Sequence, residues 1–383
     1  MDRLYLTGGE VLLADGGMRC EDLVIADGRI AAIGGSGGGT ATLEARGLLV
    51  LPGIVDIHGD AFERQIQPRP GVGFPAGLAL ADTEAQLLAN GITTAYHGIT
   101  LSWEPGLRSL EAWRALLDAL AAREWVCDMR VHLRWEAFNL DALAVAIDDI
   151  VAGRVHLLAF NDHTPAILKR IGDPIAGAKY SERAGMSLAA FRSLAEGIAA
   201  YEDRVPAALD RIAAAAREAG IPMASHDDAT IGTRDEFRGR GARICEFPME
   251  QSVGEAARSA GDWVVMGSPN VVRGGSHLGW ASAARLAEAG TCTVLSSDYY
   301  YPAMLRAAFV LADRGVLDRA RSWDLISANP AAAAGLSDRG VIAPGKRADI
   351  VLVDAAGPRV VATIAAGRIA HLTSEGAARL RAA

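Results

Sequence analysis

Cysteine is scarce in this chain and never clustered: four in 383 residues, at Cys20, Cys127, Cys245 and Cys292. With no Cys-x-x-Cys pair, the sequence argues against both a disulfide framework and a structural zinc ribbon. Buried, reduced thiols of a cytoplasmic protein are expected instead. Positive charge is also short, and the formal net charge is −8. That excludes a nucleic-acid binder relying on a global basic field, but not a local basic pocket for a phosphorylated small molecule. No stretch has the length and apolarity of a membrane span, so no membrane partner is expected. The start, MDRLYLTGGEVLLADGG, has no basic segment leading into an apolar one, and no secretory signal is expected from it.

What is present is apolar bulk in a regular order. Half of the residues are hydrophobic, enough for an α/β barrel with a small companion domain. Residues 1–50 read as short alternating strands split by glycine and by the turn signal Asp27-Gly28, and the same texture returns in RADIVLVDAAGPRVVATIAAGRIAHL. The expectation is one small β-sandwich domain built from both ends, residues 1–50 plus 341–383, around a barrel of residues 51–340. In that middle part, strand patterns occur at 53–58, 93–98, 129–136, 155–163, 221–228, 243–248, 262–270 and 291–299, with helical patterns between them. The segment 181–219 reads as one long helical stretch with a break at Pro206. Eight strand–helix units mean parallel strands with right-handed crossovers, and favour a closed (β/α)8 TIM-type barrel over an open sheet. An open sheet would want a glycine-rich nucleotide turn after its first strand, where this chain has His58-Gly59-Asp60.

The ends of these strands collect the unusual polar residues. Strand one ends in His58 and Asp60, which share a face at period two. Strand two ends in His97, and strand three carries His132, Arg134 and Glu136, again at period two. Strand four ends in Asn161-Asp162-His163, strand five in His226-Asp227-Asp228, and strand eight in Asp298; strand six offers Glu246. One such histidine is most often a hydrogen-bonded structural residue. Histidines and carboxylates capping most strands of one barrel are costly to bury unless a divalent cation offsets the cost. Imidazole with carboxylate suits Zn2+, with Mn2+ or Fe2+ as alternatives, as one or two ions. His58, Asp60, Glu136, His163, His226 and Asp298 form the expected metal set, with Asp298 and His226 as catalytic groups and Asp298 free to act as base or ligand. His97 and His132 could instead orient ligands. Glu246 could be a simple salt-bridge partner, and Asp227 and Asp228 could cap the next helix.

PGIVDIH after a small sheet, the Asp ending the last strand, Asn329-Pro330-Ala331, and GVIAPGKRADIVLVD together resemble the amidohydrolase superfamily. Longer motifs, ASHDDAT (224–230) and MGSPNVVRGGSH (266–277) above all, are similar to one branch of it, the diphosphatases of the carbon–phosphorus lyase pathway of phosphonate use. The resemblance spans about residues 50–355. It implies hydrolysis of α-D-ribose 1-methylphosphonate 5-triphosphate to the 5-phosphate and pyrophosphate. Such a substrate needs donors near the metal. Arg273, Gly274, Gly275, Ser276 and His277 offer a guanidinium, amides for an anion nest and a hydroxyl, in a loop after strand seven. Arg64 and Arg69 follow strand one, and Lys179 is expected in the loop after strand four. The superfamily's first motif is commonly His-x-His, where this chain has His58-x-Asp60. The superfamily also usually takes its paired histidines from strands five and six, whereas the count above puts His163 and His226 on four and five. Two other readings stay open: a C–N hydrolase acting on a cyclic amide or N-acyl substrate, and a non-catalytic ligand-binding homologue. A homo-oligomer is compatible with each.

Overall fold

In a computed structural model describing residues 3–35, 41–69, 71–275 and 281–381, seventeen strands divide into two sheets. From the amino-terminal side come β1 (Arg3–Leu12), β2 (Met18–Ala26), β3 (Arg29–Ile33), β4 (Ala41–Glu44) and β5 (Leu49–Pro52). The barrel strands are β6 (Ile54–Gly59), β7 (Ile92–Leu101), β8 (Asp128–Glu136), β9 (Leu157–Asn161), β10 (Met223–His226), β11 (Ile244–Glu246), β12 (Trp263–Gly267) and β13 (Val294–Ser296). The carboxyl-terminal strands are β14 (Ile350–Asp354), β15 (Arg359–Ala365), β16 (Arg368–Leu372) and β17 (Leu380–Arg381).

The two ends of the chain form one mixed sheet in the order β16-β15-β14-β5-β1-β2-β3, with β4 on β1 and β17 on β4. Its hinge to the barrel is Pro52-Gly53. A Cβ on Gly53 would lie 2.4 Å from Thr93 Oγ1, so only glycine lets β5 pass straight into β6. β14 returns antiparallel to β5, with Leu352 opposite Val50. Trp323 pins the junction by donating its indole N–H to the Pro52 carbonyl at 3.0 Å.

The other eight strands run parallel in chain order, each paired with the next. Every residue of β6 and β7 is buried, as expected of parallel strands covered by helices outside and packed side chains inside. Val55, Ile57, Tyr96, Ala159, Ala224, Ile244, Val265 and Val294 fill the interior. Closure runs through a single bridge between Gly59 and Asp298. The Asp298 N–H donates to the His58 carbonyl at 3.0 Å and the Asp60 N–H to the Asp298 carbonyl at 2.9 Å. Thus the seam of the barrel coincides with the residues singled out for chemistry.

The long helical stretch after strand four is broken more often than its pattern predicts. Pro174–Ala184 starts on an Asp173 cap and stops at left-handed Gly185. Leu188–Ala199 starts on Ser187. Pro206 does not break a helix; it opens the helix Val205–Glu218, where its missing N–H costs nothing. Lys179 therefore lies on a helix and not in a loop. Among the described residues no helix is long and apolar enough to cross a membrane.

Candidate active site

The carboxyl ends of β6, β8, β10, β11 and β13 converge on one depression. His58 is nearly fully buried on β6, and its backbone is fixed from beneath. Asp56 accepts the His58 N–H at 3.3 Å and the Ser297 N–H at 3.0 Å on the same carboxylate oxygen. A Cβ on Gly59 would lie 2.7 Å from Ser297 Oγ and 2.8 Å from Asp56 Oδ2, so glycine is required between the two polar residues. Three non-glycine residues at strand ends, Asp227, Phe247 and Asp298, hold left-handed backbone with φ of 58°, 53° and 56°. Such conformations cost roughly 1 kcal/mol or more each and persist where packing fixes them. All three line the same cavity, of about 270 Å³.

The cavity floor is a set of facing lone pairs. His132 donates Nδ1–H to the Ile57 carbonyl at 3.0 Å, which leaves Nε2 as an acceptor. That nitrogen faces Glu246 Oε2 at 3.6 Å, and His58 Nδ1 faces the same oxygen at 3.1 Å. Both Glu246 oxygens, His58 Nδ1 and His132 Nε2 are buried without a hydrogen-bond partner. His226 Nδ1 lies 3.2 Å from Asp227 Oδ2, and His163 Nε2 lies 3.6 Å from the same oxygen. Among the described residues, two groups have their ligand atoms close enough to hold an ion, His58–His226–Glu246 and His163–His226–Asp227. Burial keeps the imidazoles neutral: His226 is lowered to about 4 and His132 to about 3, and His58 is held well below its ordinary range. Neutral imidazoles beside buried, unpartnered carboxylate oxygens are the donor set a divalent cation requires.

The carboxylates above the floor are poised differently. Burial pushes Asp298 up to about 7, the Asp60 charge adds to the rise, and Arg134 opposes it. Asp60 rises to about 6, through burial first and Glu63 second. Glu136 is tied into the chain: it accepts from the Thr164 hydroxyl at 2.7 Å and from the N–H groups of Thr164 and His163. Its carboxylate anchors the start of Thr164–Arg170 and stands 3.6 Å from His163 Nδ1. His97 is buried and lies edge-on to Phe62 at 5.2 Å. Asp228 does not cap the following helix, where Thr230 does so. It turns inward to the hydroxyl of Ser225.

Residues 49–374 match the Amidohydrolase family. The chain belongs to this family. It is 34% identical over 320 residues to alpha-D-ribose 1-methylphosphonate 5-triphosphate diphosphatase of Escherichia coli (strain K12), covering 81% of this chain and 84% of that protein. It is 27% identical over 370 residues to adenine deaminase of Methylobacterium sp. (strain 4-46), covering 93% of this chain and 56% of that protein. Among solved structures, molinate hydrolase superposes with a TM-score of 0.65 at 15% identity, covering 96% of this chain and 94% of that one. N-acetylglucosamine-6-phosphate deacetylase from Pasteurella multocida does so with a TM-score of 0.65 at 11% identity, covering 96% and 99%. These two likenesses concern the fold alone. The amidohydrolase chain is thus a family hydrolase with imidazole and carboxylate groups able to hold a divalent metal at the expected end of its barrel.

The residues expected to touch phosphate fall into two cavities. Arg273 and Gly275 line the main one, beside Asp60, His226, Asp298 and Asn270. Arg64, Arg69 and Lys179 line a second cavity of about 310 Å³, with Glu63, Glu182 and Arg183. Arg64 also donates to the carbonyl of Tyr299, next to Asp298. An amide nest does not form at Gly274-Gly275. The helix Ser268–Arg273 ends there with Gly274 left-handed, and both glycine N–H groups are spent on the Asn270 and Val271 carbonyls. Ser276 and His277 lie outside the described residues. Sequence reasoning left Glu246 and Asp227 open and passed over Phe247. The missing signal for Phe247 is the left-handed backbone, which no motif announces.

Proposed function

We propose that this amidohydrolase releases pyrophosphate from α-D-ribose 1-methylphosphonate 5-triphosphate, leaving the 5-phosphate. The observation that carries the reading is the relative from Escherichia coli, alike over 81% of the chain; basic residues in both cavities beside the cluster agree with it. His58 and Glu246, with His226, His163 and Asp227 adjacent, would hold a divalent ion, which when bound polarises a phosphoryl oxygen and acidifies a water. Asp298, poised at about 7, takes the proton of a water as that water attacks the phosphorus attached to the ribose 5-oxygen. The bond from that phosphorus to pyrophosphate breaks. Arg273 faces the leaving charge in the main cavity, and Arg64, Arg69 and Lys179 receive the remaining phosphoryl oxygens next door.

The deaminase relative, at 27% identity over 93% of the chain, favours a second reading, hydrolysis at a C–N bond. Pyrophosphate release by metal-loaded wild type and Asp298→Asn decides between them, run beside a panel of adenine, hydantoin, dihydroorotate and N-acyl substrates. Release by wild type that falls by about 10²–10⁴-fold in the variant supports the diphosphatase. Turnover confined to the C–N panel overturns it.

A further inference from the structure

We infer that Arg134 is a built-in second cation of this centre, so that the site takes one divalent ion per chain. The inference does not depend on which bond the enzyme cuts.

The placement of Arg134 starts on β8, where His132, Arg134 and Glu136 share one face at period two. Arg134 is 6% exposed. Its stem crosses the neighbouring strand at Gly98, where a Cβ would lie 3.2 Å from Arg134 Cδ and 3.7 Å from His58 Nε2. Gly98 is therefore the notch that lets the side chain reach across. At its tip, Nη2 lies 3.1 Å from His226 Nε2 and Nη1 lies 3.5 Å from Asp60 Oδ2. A guanidinium is always a donor, so His226 accepts at Nε2 and turns Nδ1–H toward Asp227, 3.2 Å away.

Two consequences limit the ion count. First, the two metal-capable triads among the described residues share His226, and while its one lone pair accepts from Arg134 the ring has none to offer an ion. Neither triad is completed by that ring until Arg134 is removed from it. Second, Arg134 reaches from Asp60 on the strand-one side to His226 on the strand-five side. The permanent charge of the guanidinium repels a further cation placed there. His58 Nδ1 and both Glu246 oxygens remain without partners, which leaves one ion with its nucleus at His58 and Glu246. Arg134 also lines the main cavity, so its charge stays available to an anionic group entering it.

The test is an ion count on the full-length chain, stripped with chelator and reloaded with Mn2+ alone. Elemental analysis after gel filtration should give one Mn2+ per chain, and the paramagnetic resonance spectrum should be the six-line pattern of an isolated ion. Arg134→Met should retain a second equivalent and show exchange coupling between ions, whereas Arg134→Lys, which keeps the charge, should stay at one. Gly98→Ala, which crowds the Arg134 stem without removing a ligand atom, should tighten the second equivalent at least tenfold. Two coupled ions in wild type overturn the inference whatever the variants do. So does a well-folded Arg134→Met that still takes one ion.

Discussion

Replacing Glu246 by glutamine should stabilise the metal-free protein relative to wild type and remove the stability that wild type gains from the ion. Glu246 is fully buried, and neither of its oxygens has a hydrogen-bond partner. Burial holds its carboxyl above the ordinary range, so at pH 8 ionisation imposes an uncompensated buried charge on the metal-free fold. Glutamine has the same shape, removes that charge, and can turn its amide N–H toward His132 Nε2, the acceptor 3.6 Å away. Relief of an unsatisfied buried group is worth about 1–3 kcal/mol. Unfolding entropy for a chain of 383 residues is about 0.8 kcal/mol/K. In excess chelator the variant should therefore melt about 1–4 °C above wild type. Wild type with the ion at a hundred times its Kd gains about 2.7 kcal/mol, close to 3 °C on the same scale. The variant, short of an anionic ligand, should gain almost none of it. Melting curves of both proteins at pH 8, with chelator and with graded Zn2+ or Mn2+, read out both effects. A Glu246→Gln protein that melts below wild type in chelator, or gains as much from the ion, would refute the assignment of this carboxylate to a cation.

Ion binding should release protons below neutral pH. Asp298, poised at about 7, is mostly protonated at pH 6 and must ionise, so calorimetry in buffers of differing ionisation enthalpy should show roughly one proton released per ion at pH 6 and near none at pH 8. The same raised carboxyl stabilises the metal-free fold below its unfolded pKa of 3.8, and that contribution is lost as pH rises through about 7. Asp60, raised to about 6, acts in the same direction. The neutral imidazoles act oppositely: His226, lowered to about 4, gives stability above about 6.5 that is lost as pH falls. Thermal melts of metal-free Asp298→Asn should therefore lose part of the alkaline decline while keeping the acid one. Arg69→Ala with Lys179→Ala should raise KM for a triphosphate substrate at least about 10²-fold, the worth of two lost charged hydrogen bonds at about 1.5–3 kcal/mol each, with kcat little changed. An equal loss in kcat would place the second cavity's groups on the reacting phosphoryl instead. Trp113 is a control away from the site: its indole donates to the buried Asp149 at 2.6 Å. Trp113→Phe should lower the melting temperature by about 1–4 °C, the same buried-partner penalty, and leave metal content unchanged.

Much of this molecule was legible as pattern. Eight apolar segments at regular spacing, each ending in polar residues, dictate parallel strands with a functional rim, because a buried strand has no other place for a histidine or a carboxylate. His58, Asp60, His163, His226 and Asp298 stood out for the same reason, and the fold brings them to one end of the barrel. Tertiary structure alone decided which of these groups face one another. Period two says that Arg134 shares a face with His132 and Glu136; only the notch at Gly98 sends its guanidinium to His226 and Asp60. Glu136 reads as a ligand in sequence, yet Thr164 and the His163 amide engage it in the fold. Arg64, Arg69 and Lys179 separate from Arg273 because a capped helix, Pro174–Ala184, carries Lys179 into a second cavity. Local spacing fixes the face and the end of a strand, whereas lone-pair direction and charge partnership arise between segments far apart in the chain, and these decide what the cluster can bind.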